Sequence, residues 1–367
     1  MSDLRELLER EGERFALPPG GLERLHRRRR RREHVRIAAL ALAVVIVGSS
    51  LAISLREARR TLDPAQPPRI VSSFSIGARP VALAEGAAAV WIVSAADRKL
   101  VRLDPATGEI INEVFLADDV GPPADVTIWR GSVWVRTVGA SQSQSQILPA
   151  VVRIDAATDQ ILATMFLDHE TSAVAIGARG VWSTSGGGQV FRRDVPGGKV
   201  GVSGQGPAPS VAVAVGEGGV WALGGGKQVV DTGSPIPGTL ARMDPGTGSM
   251  TSSTEVGRNP RYLAVGEGAA WVVSSVDGAV FRVDPRTVTV TDRIPVPGLP
   301  THITVGPTGV WVLDAPGGML YRIDPDDVDG SRVTDSVSVG AGAVALTAAQ
   351  RSVWVAREDG TILRIGD

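Results

Sequence analysis

Tryptophan recurs in this chain with a period that few folds can accommodate. Trp91, Trp134, Trp182, Trp221, Trp271, Trp311 and Trp354 each follow Val or Ala in a strand-like run, at gaps of 43, 48, 39, 50, 40 and 43 residues. A unit repeating about every 44 residues lies in the range of propeller blades. Trp129 falls outside the series. A second marker keeps step with the first: Arg-x-Asp-Pro at Arg102-Asp104-Pro105, Arg242-Asp244-Pro245, Arg282-Asp284-Pro285 and Arg322-Asp324-Pro325. Degenerate copies stand at Arg153-Asp155, Arg192-Asp194 and Arg364-Asp367. Both markers count seven.

Residues 256–296 show what one unit contains. Arg261 to Val265 reads as a short strand, Gly266-Glu267-Gly268 as a turn, Ala270 to Ser274 as a second strand and Asp277-Gly278 as a hairpin signal. Ala279 to Val283 is a third strand and Thr289 to Val296 a fourth. The turn between them is clearest in Asp104-Pro105-Ala106-Thr107-Gly108, where Asp accepts N–H groups of its own loop, Pro presets φ and Gly tolerates positive φ. In the first strand, the residues eight before each Trp are Leu83, Val126, Val174, Val213, Leu263, Ile303 and Leu346. Those seven before are Ala84, Thr127, Ala175, Ala214, Ala264, Thr304 and Thr347. Large residues on one face and small ones on the other suit wedges packed around a narrow axis. The expected fold is all-β: a seven-bladed propeller of four-stranded blades. Glycine at 44 and proline at 24 supply the turns this needs, and a helical bundle is excluded.

The last copy stops after its third strand, at Ile365. Its missing fourth strand matches Arg69 to Ile76, whose Phe74-Ser75-Ile76-Gly77 parallels Val337-Ser338-Val339-Gly340. Residues 69–76 are therefore expected to pair into the last blade, so that 69–367 closes as one ring without an open edge.

Ahead of the ring, Ile37 to Leu55 is a run of 19 residues without a charge. At 1.5 Å per residue it spans about 28 Å, close to the thickness of a bilayer core. Arg24, Arg27 to Arg32 and Arg36 precede it, while Arg56, Arg59 and Arg60 after it are partly offset by Glu57. The basic bias puts residues 1–36 in the cytoplasm and the body outside, with 37–55 as a single-pass transmembrane helix and 56–68 as a stem. A cleavable signal peptide would have a short basic leader and a small-residue cleavage site; this leader is 36 residues long and no such site follows. Leu4, Leu7, Leu8 and Phe15 share one helical face, so residues 2–16 read either as a docking peptide for a cytoplasmic partner or as a helix on the inner leaflet. Residues 1–60 carry a net charge of +6 and the rest −7, so the acidic body is not a nucleic-acid binder.

The segments Val-Trp-Val, Gly-x-Val-x-Arg-Ile-Asp-Pro-x-Thr-Gly and Ile-Pro-Val-x-x-x-Pro-x-x-Ile-x-Val-Gly resemble the YVTN-type and virginiamycin B lyase-like propeller repeats. The resemblance covers about residues 69–367. The Arg-rich leader with a single anchor also resembles actinobacterial membrane proteins, and Arg outnumbers Lys 35 to 3. The lyase resemblance implies histidines and a carboxylate grouped around a metal at the channel mouth. This body has only His169 and His302, at different repeat positions, so no catalytic set carries over. Asp-x-x-Thr-Gly is also similar to quinoprotein propellers, but the downstream Trp of their docking motif is missing after Asp104 and Asp244.

No motif calls for a cofactor. Gly224-Gly225-Gly226-Lys227 is followed by Gln228 where a phosphate loop needs Ser or Thr, and it reads as a hairpin loop. With no cysteine, thiolate chemistry and disulfides are excluded. The informative residues are those that break the repeat. Nine residues before the Trp, four units have Ala and the others Asp125, Tyr262 and His302, with Arg261 beside Tyr262. The long loops Arg136 to Pro149 and Gly224 to Gly238 are expected on the same rim. Asp125, Arg261, Tyr262 and His302 are thus the candidate ligand-binding residues at the channel mouth, and Asp168, His169 and Glu170 the candidates for a metal. Two functions follow as expectations: a membrane-tethered extracytoplasmic module that binds an unidentified ligand or protein, or a metal-dependent lyase or hydrolase at the cell envelope.

Overall fold

Runs of Val, Ile, Ala and Thr only five to seven residues long, each closed by Gly, Asp or Pro, leave antiparallel pairing as the way to satisfy the backbone. The computed structural model describes residues 67–367 except 143–144, 169–170, 178, 196–197, 226–236, 327–331, 350–351 and 367. The expected cytoplasmic segment, transmembrane helix and most of the stem lie outside the described residues. Among the described residues no helix is long and apolar enough to cross a membrane.

Seven four-stranded sheets are present, as the two repeat markers imply. Blade one runs Pro80–Gly86, Ala89–Ser94, Lys99–Leu103 and Ile110–Phe115; blade two runs Pro123–Trp129, Ser132–Thr137, Ala150–Asp155 and Ile161–Phe166. Blade three is Thr171–Gly177, Gly180–Ser185, Gln189–Arg193 and Val200–Gln205. Blade four is Ser210–Gly216, Gly219–Gly224, Pro237–Met243 and Met250–Arg258. Blade five is Tyr262–Gly266, Ala269–Ser274, Ala279–Asp284 and Thr289–Pro295, and blade six is His302–Gly306, Gly309–Asp314, Met319–Ile323 and Val333–Ser338. Blade seven takes Ala343–Ala349, Ser352–Arg357 and Thr361–Gly366 from the end of the chain and Arg69–Ser75 from the start of the body.

The core is divided into seven apolar clusters, one at each interface between neighbouring blades. Each blade offers its Trp face to the next blade, which answers with the large aliphatic residue eight before its own Trp. Trp271 and Val273 of blade five, for example, meet Ile303, Val310 and Val312 of blade six. The small residues have a direct cause: Ala84, Thr127, Ala175, Ala214, Ala264, Thr304 and Thr347 lie directly opposite the seven tryptophans on the neighbouring strand. A larger side chain there would compete with the indole for one space.

The two sequence markers keep step because they are cross-strand partners. Each repeat Trp pairs in register with the Arg of the second marker, from Trp91 with Arg102 to Trp354 with Arg364. In six blades the guanidinium carbon lies over the indole, 5.2 to 6.0 Å from the ring centre. In five blades the Asp two residues on closes the turn, as in Asp104, whose Oδ1 accepts from the N–H groups of Ala106 at 2.7 Å and Thr107 at 2.9 Å. Those hydrogen bonds hold its carboxyl below the usual range.

Arginines of the marker also link blades. Arg102 Nη1 donates to Asp159 of blade two at 3.1 Å, and Asn112 Nδ2 reaches the same carboxylate at 2.9 Å. Both charged side chains are largely shielded, at 17% and 12% exposure. Arg102→Met should cost about 2 kcal/mol in urea unfolding, because it removes a charged hydrogen bond and leaves the shielded Asp159 carboxylate with Asn112 alone. Around the seventh interface, Arg364 Nη1 donates to the carbonyl of Pro105 at 3.2 Å and Trp354 Nε1 to Glu85 Oε2 at 2.7 Å. Phe74 of the closing strand stacks on Trp354 with ring centres 6.2 Å apart. Gly108, at φ +75°, lets this strand approach, since a Cβ there would lie 1.8 Å from the Phe74 ring.

Candidate functional site

Loops between blades and the loops joining second to third strands lie on one rim. Arg98 Nη2, after the second strand of blade one, donates to the carbonyls of Ala117 and Val120 in the loop leading to blade two, both at 2.6 Å. The backbone N–H of Arg258 donates to Asp277 Oδ2 at 2.6 Å, and the Ser275 hydroxyl to the carbonyl of Pro300. The innermost strand of each blade starts at this rim, so the position nine residues before the Trp is an inner residue close to the mouth. Alanine at that position in blades one, three, four and seven leaves no functional group.

Tyr262 and His302 occupy it in blades five and six and come together, with ring centres 4.5 Å apart and planes inclined by 39°. Tyr262 also packs against the apolar cluster between these blades. Its phenol is pushed up by burial, and the neighbouring Arg261 charge opposes the shift. Arg261 itself is exposed on the rim, with its backbone N–H held by the Val273 carbonyl at 3.2 Å.

Burial lowers His302 from 6.5 to about 4, so the ring is neutral at pH 7. The ring is positioned through the Thr301 hydroxyl. The Thr301 hydroxyl donates to the Leu313 carbonyl at 3.0 Å and accepts from the Ala315 N–H at 3.2 Å. The same hydroxyl lies 3.0 Å from His302 Nδ1, which ties the ring to the start of blade six. The mouth at blades five and six therefore combines a cation, a phenol and a neutral imidazole.

The other candidates do not join this group. Asp125 lies on blade two, at the interface with blade three, opposite Arg136 in strand register. Water reaches it along the inner strand, yet the surrounding protein raises its carboxyl above the usual range, a shift that Arg136 partly opposes. Asp168 is tied to Arg193 at 2.5 Å. His169 and Glu170 lie outside the described residues. Among the described residues, no three His, Asp or Glu side chains gather as a metal site.

Sequence reading missed two features. Arg136 stands two residues after Trp134, where the other blades have Val93, Thr184, Leu223, Val273, Leu313 and Ala356, so reading that column would have found it. The loop expected from Arg136 to Pro149 contains a small hairpin, Ala140–Gln142 with Ser145–Ile147.

No family model matches this sequence, and no curated protein matches it. Solved structures do. Virginiamycin B lyase from Staphylococcus aureus is 16% identical, with a TM-score of 0.63 over 82% of this chain and 99% of that one. A chain of the mitotic checkpoint complex is 12% identical, with a TM-score of 0.64 over 83% of this chain and 92% of that one. The WD40 domain of Neurospora crassa Pan2 is 11% identical, with a TM-score of 0.62 over 82% and 96%. At these identities the likeness extends to the fold and no further. What the chain shares with all three is the β-propeller architecture.

Proposed function

We propose that this chain is a membrane-tethered propeller that binds a ligand or partner protein outside the cytoplasm, using the rim at blades five and six. The observation that carries the binding role is the pairing of Tyr262 with His302 beside exposed Arg261, on a scaffold whose equivalent positions in four blades are alanine. Four blades serve packing with alanine in the column of Tyr262 and His302, and Arg261 stands where the other blades have Val81, Ala124, Ser172, Val211, Thr301 and Val344. Tethering rests on the uncharged run 37–55 and its arginine flanks. In this reading the cytoplasmic segment 2–16 either docks a partner or lies on the inner leaflet.

The test is a crosslinking capture from the envelope fraction with the full chain as bait. A specific product, lost in both Arg261→Ala and His302→Gln while each variant still melts cooperatively, is the expected result. Products unchanged by both substitutions would remove the rim from the account.

A second reading, an envelope lyase or hydrolase, is favoured by one observation: the His302 ring is neutral at pH 7, the form a general base takes. Turnover of a streptogramin with a divalent cation present, abolished by His302→Gln, would move the assignment to that class.

A further inference from the structure

The fourth strands form the outer wall of the ring, and the repeat breaks there on one side. Near the rim opposite the mouth, the residue paired with the position after the marker Arg is apolar in every blade, from Ile70 and Ile110 to Val290 and Val333. The next residue divides the blades. It is Thr251, Thr291 and Thr334 in blades four to six and Gly201 in blade three, but Val71, Ile111 and Leu162 in blades seven, one and two. The three Thr hydroxyls donate to the carbonyls of Arg242, Arg282 and Arg322, so that edge satisfies itself facing water. Val71, Ile111 and Leu162 are instead 46 to 50% exposed.

The other end of the strand divides in the same way. Phe115 of blade one and Phe166 of blade two pair with the residue three before the marker Arg and are 64% and 45% exposed. The equivalent residues elsewhere are Ser75, Gln205, Glu255, Pro295 and Ser338. Charge follows the division too. The fourth strands of blades four to six carry Glu255, Arg258, Asp292, Arg293 and Asp335. Those of blades seven, one and two carry Arg69 and Glu113, and Glu113 is paired with Lys99 at 2.8 Å.

Apolar surface gathered on one side of a domain marks a contact with a protein or a membrane. The path of the chain selects the membrane. The wall begins at Arg69, where the body enters blade seven, and the uncharged run 37–55 ends 13 residues earlier. Those 13 residues reach at most about 45 Å when extended, so a bilayer holding the run keeps blade seven near its surface. Blades one and two continue the apolar wall from that entry point, and Arg69 at its edge suits lipid phosphate. We propose that the outer wall of blades seven, one and two lies on the lipid surface, with Val71, Ile111, Phe115, Leu162 and Phe166 at the boundary between headgroups and acyl chains. This rests on the tethered reading of residues 37–55. Blades four and five, across the ring from blade one, then face solvent.

Fluorescence quenching in vesicles tests it. Single cysteines at Phe115→Cys, Leu162→Cys, Thr291→Cys and Ser338→Cys in the full chain would carry bimane. Each chain would be reconstituted in phosphatidylcholine with and without a lipid bearing a nitroxide high on its acyl chain. Labels on Phe115→Cys and Leu162→Cys should lose about half or more of their emission, and those on Thr291→Cys and Ser338→Cys about a tenth or less. Adding Val71→Thr, Ile111→Thr and Leu162→Thr, the residue of blades four to six, should cut quenching on Phe115→Cys about threefold while the chain still melts cooperatively. Equal quenching at all four positions would overturn the proposal. No quenching on Phe115→Cys and Leu162→Cys in a chain that floats with the vesicles would overturn it and leave the tether standing. A chain that does not float with the vesicles would overturn both. Disulfide-linked dimers of Phe115→Cys without quenching would give the wall to a second copy and overturn the lipid contact.

Discussion

Removing residues 67–76 from the body should abolish cooperative folding, and restoring the same segment after Gly366 by circular permutation should recover it. The deletion strips the outer strand from blade seven and leaves Thr361–Gly366 as a bare edge. It also removes Ile76, a buried member of the cluster between blades seven and one, and the Phe74 ring that stacks on Trp354. Two apolar side chains at about 2 kcal/mol each and a ladder of hydrogen bonds at about 1 kcal/mol each total roughly 5–10 kcal/mol. That is the whole stability of many domains. Denaturant unfolding followed by tryptophan fluorescence reports it, since Trp354 sits under the removed strand. A truncated body that melts within a few degrees of the intact one would show that closure contributes little.

The second large effect is a loss of stability in acid carried by His302. In the unfolded chain this histidine takes up its proton near pH 6.5, whereas in the fold it does so only at about 4. Between those values the unfolded state binds more protons, so stability falls as the pH is lowered from about 6.5 to about 4 and is intact above that window. The loss reaches at most about 3 kcal/mol. Glu85, whose carboxyl is raised by burial, and Asp125, whose carboxyl is raised by the surrounding protein although water reaches it, act in the opposite sense over part of this range. The Asp turns at Asp104, Asp155, Asp244 and Asp284 are held low by their hydrogen bonds and contribute only below the window. The measurement is therefore a difference: unfolding free energy at pH 7 and pH 4.5 for the wild type and His302→Gln. The variant should lose about 2 kcal/mol less than the wild type. Equal losses would mean that the ring is hydrated and not buried.

Blade number and strand order were legible because their causes are local and repeated. An indole, the small residue opposite it and the Arg that covers it form one cross-strand unit, so each blade writes the same three positions into the sequence. The Asp-Pro turns are equally local, since Asp104 bonds to residues two and three positions on. The candidate sites are less legible because they arise between blades. Tyr262 and His302 are 40 residues apart and stand out as exceptions in one column, but their contact depends on the lateral packing of blades five and six. Asp125 stood in the same column and was grouped with them, whereas its neighbour is Arg136 on the adjoining strand. That pairing requires the strand register, and the register shift between Pro123 and Asp125 is not written in any single residue. The neutrality of His302 needs still more, namely the burial its ring acquires between the blades.

The placement of the propeller outside the cytoplasm is the central claim, and the absence of cysteine makes it directly measurable. Single cysteines would be introduced at Leu299, which is 55% exposed on the rim, and at Ser2 of the leader in the full chain. Intact cells would then be treated with a membrane-impermeant maleimide. Leu299→Cys should label in intact cells, and Ser2→Cys only after lysis. Labelling of Ser2→Cys in intact cells with Leu299→Cys protected until lysis would contradict the orientation. Protection of both until lysis, with the chain in the soluble fraction, would contradict the tether as well.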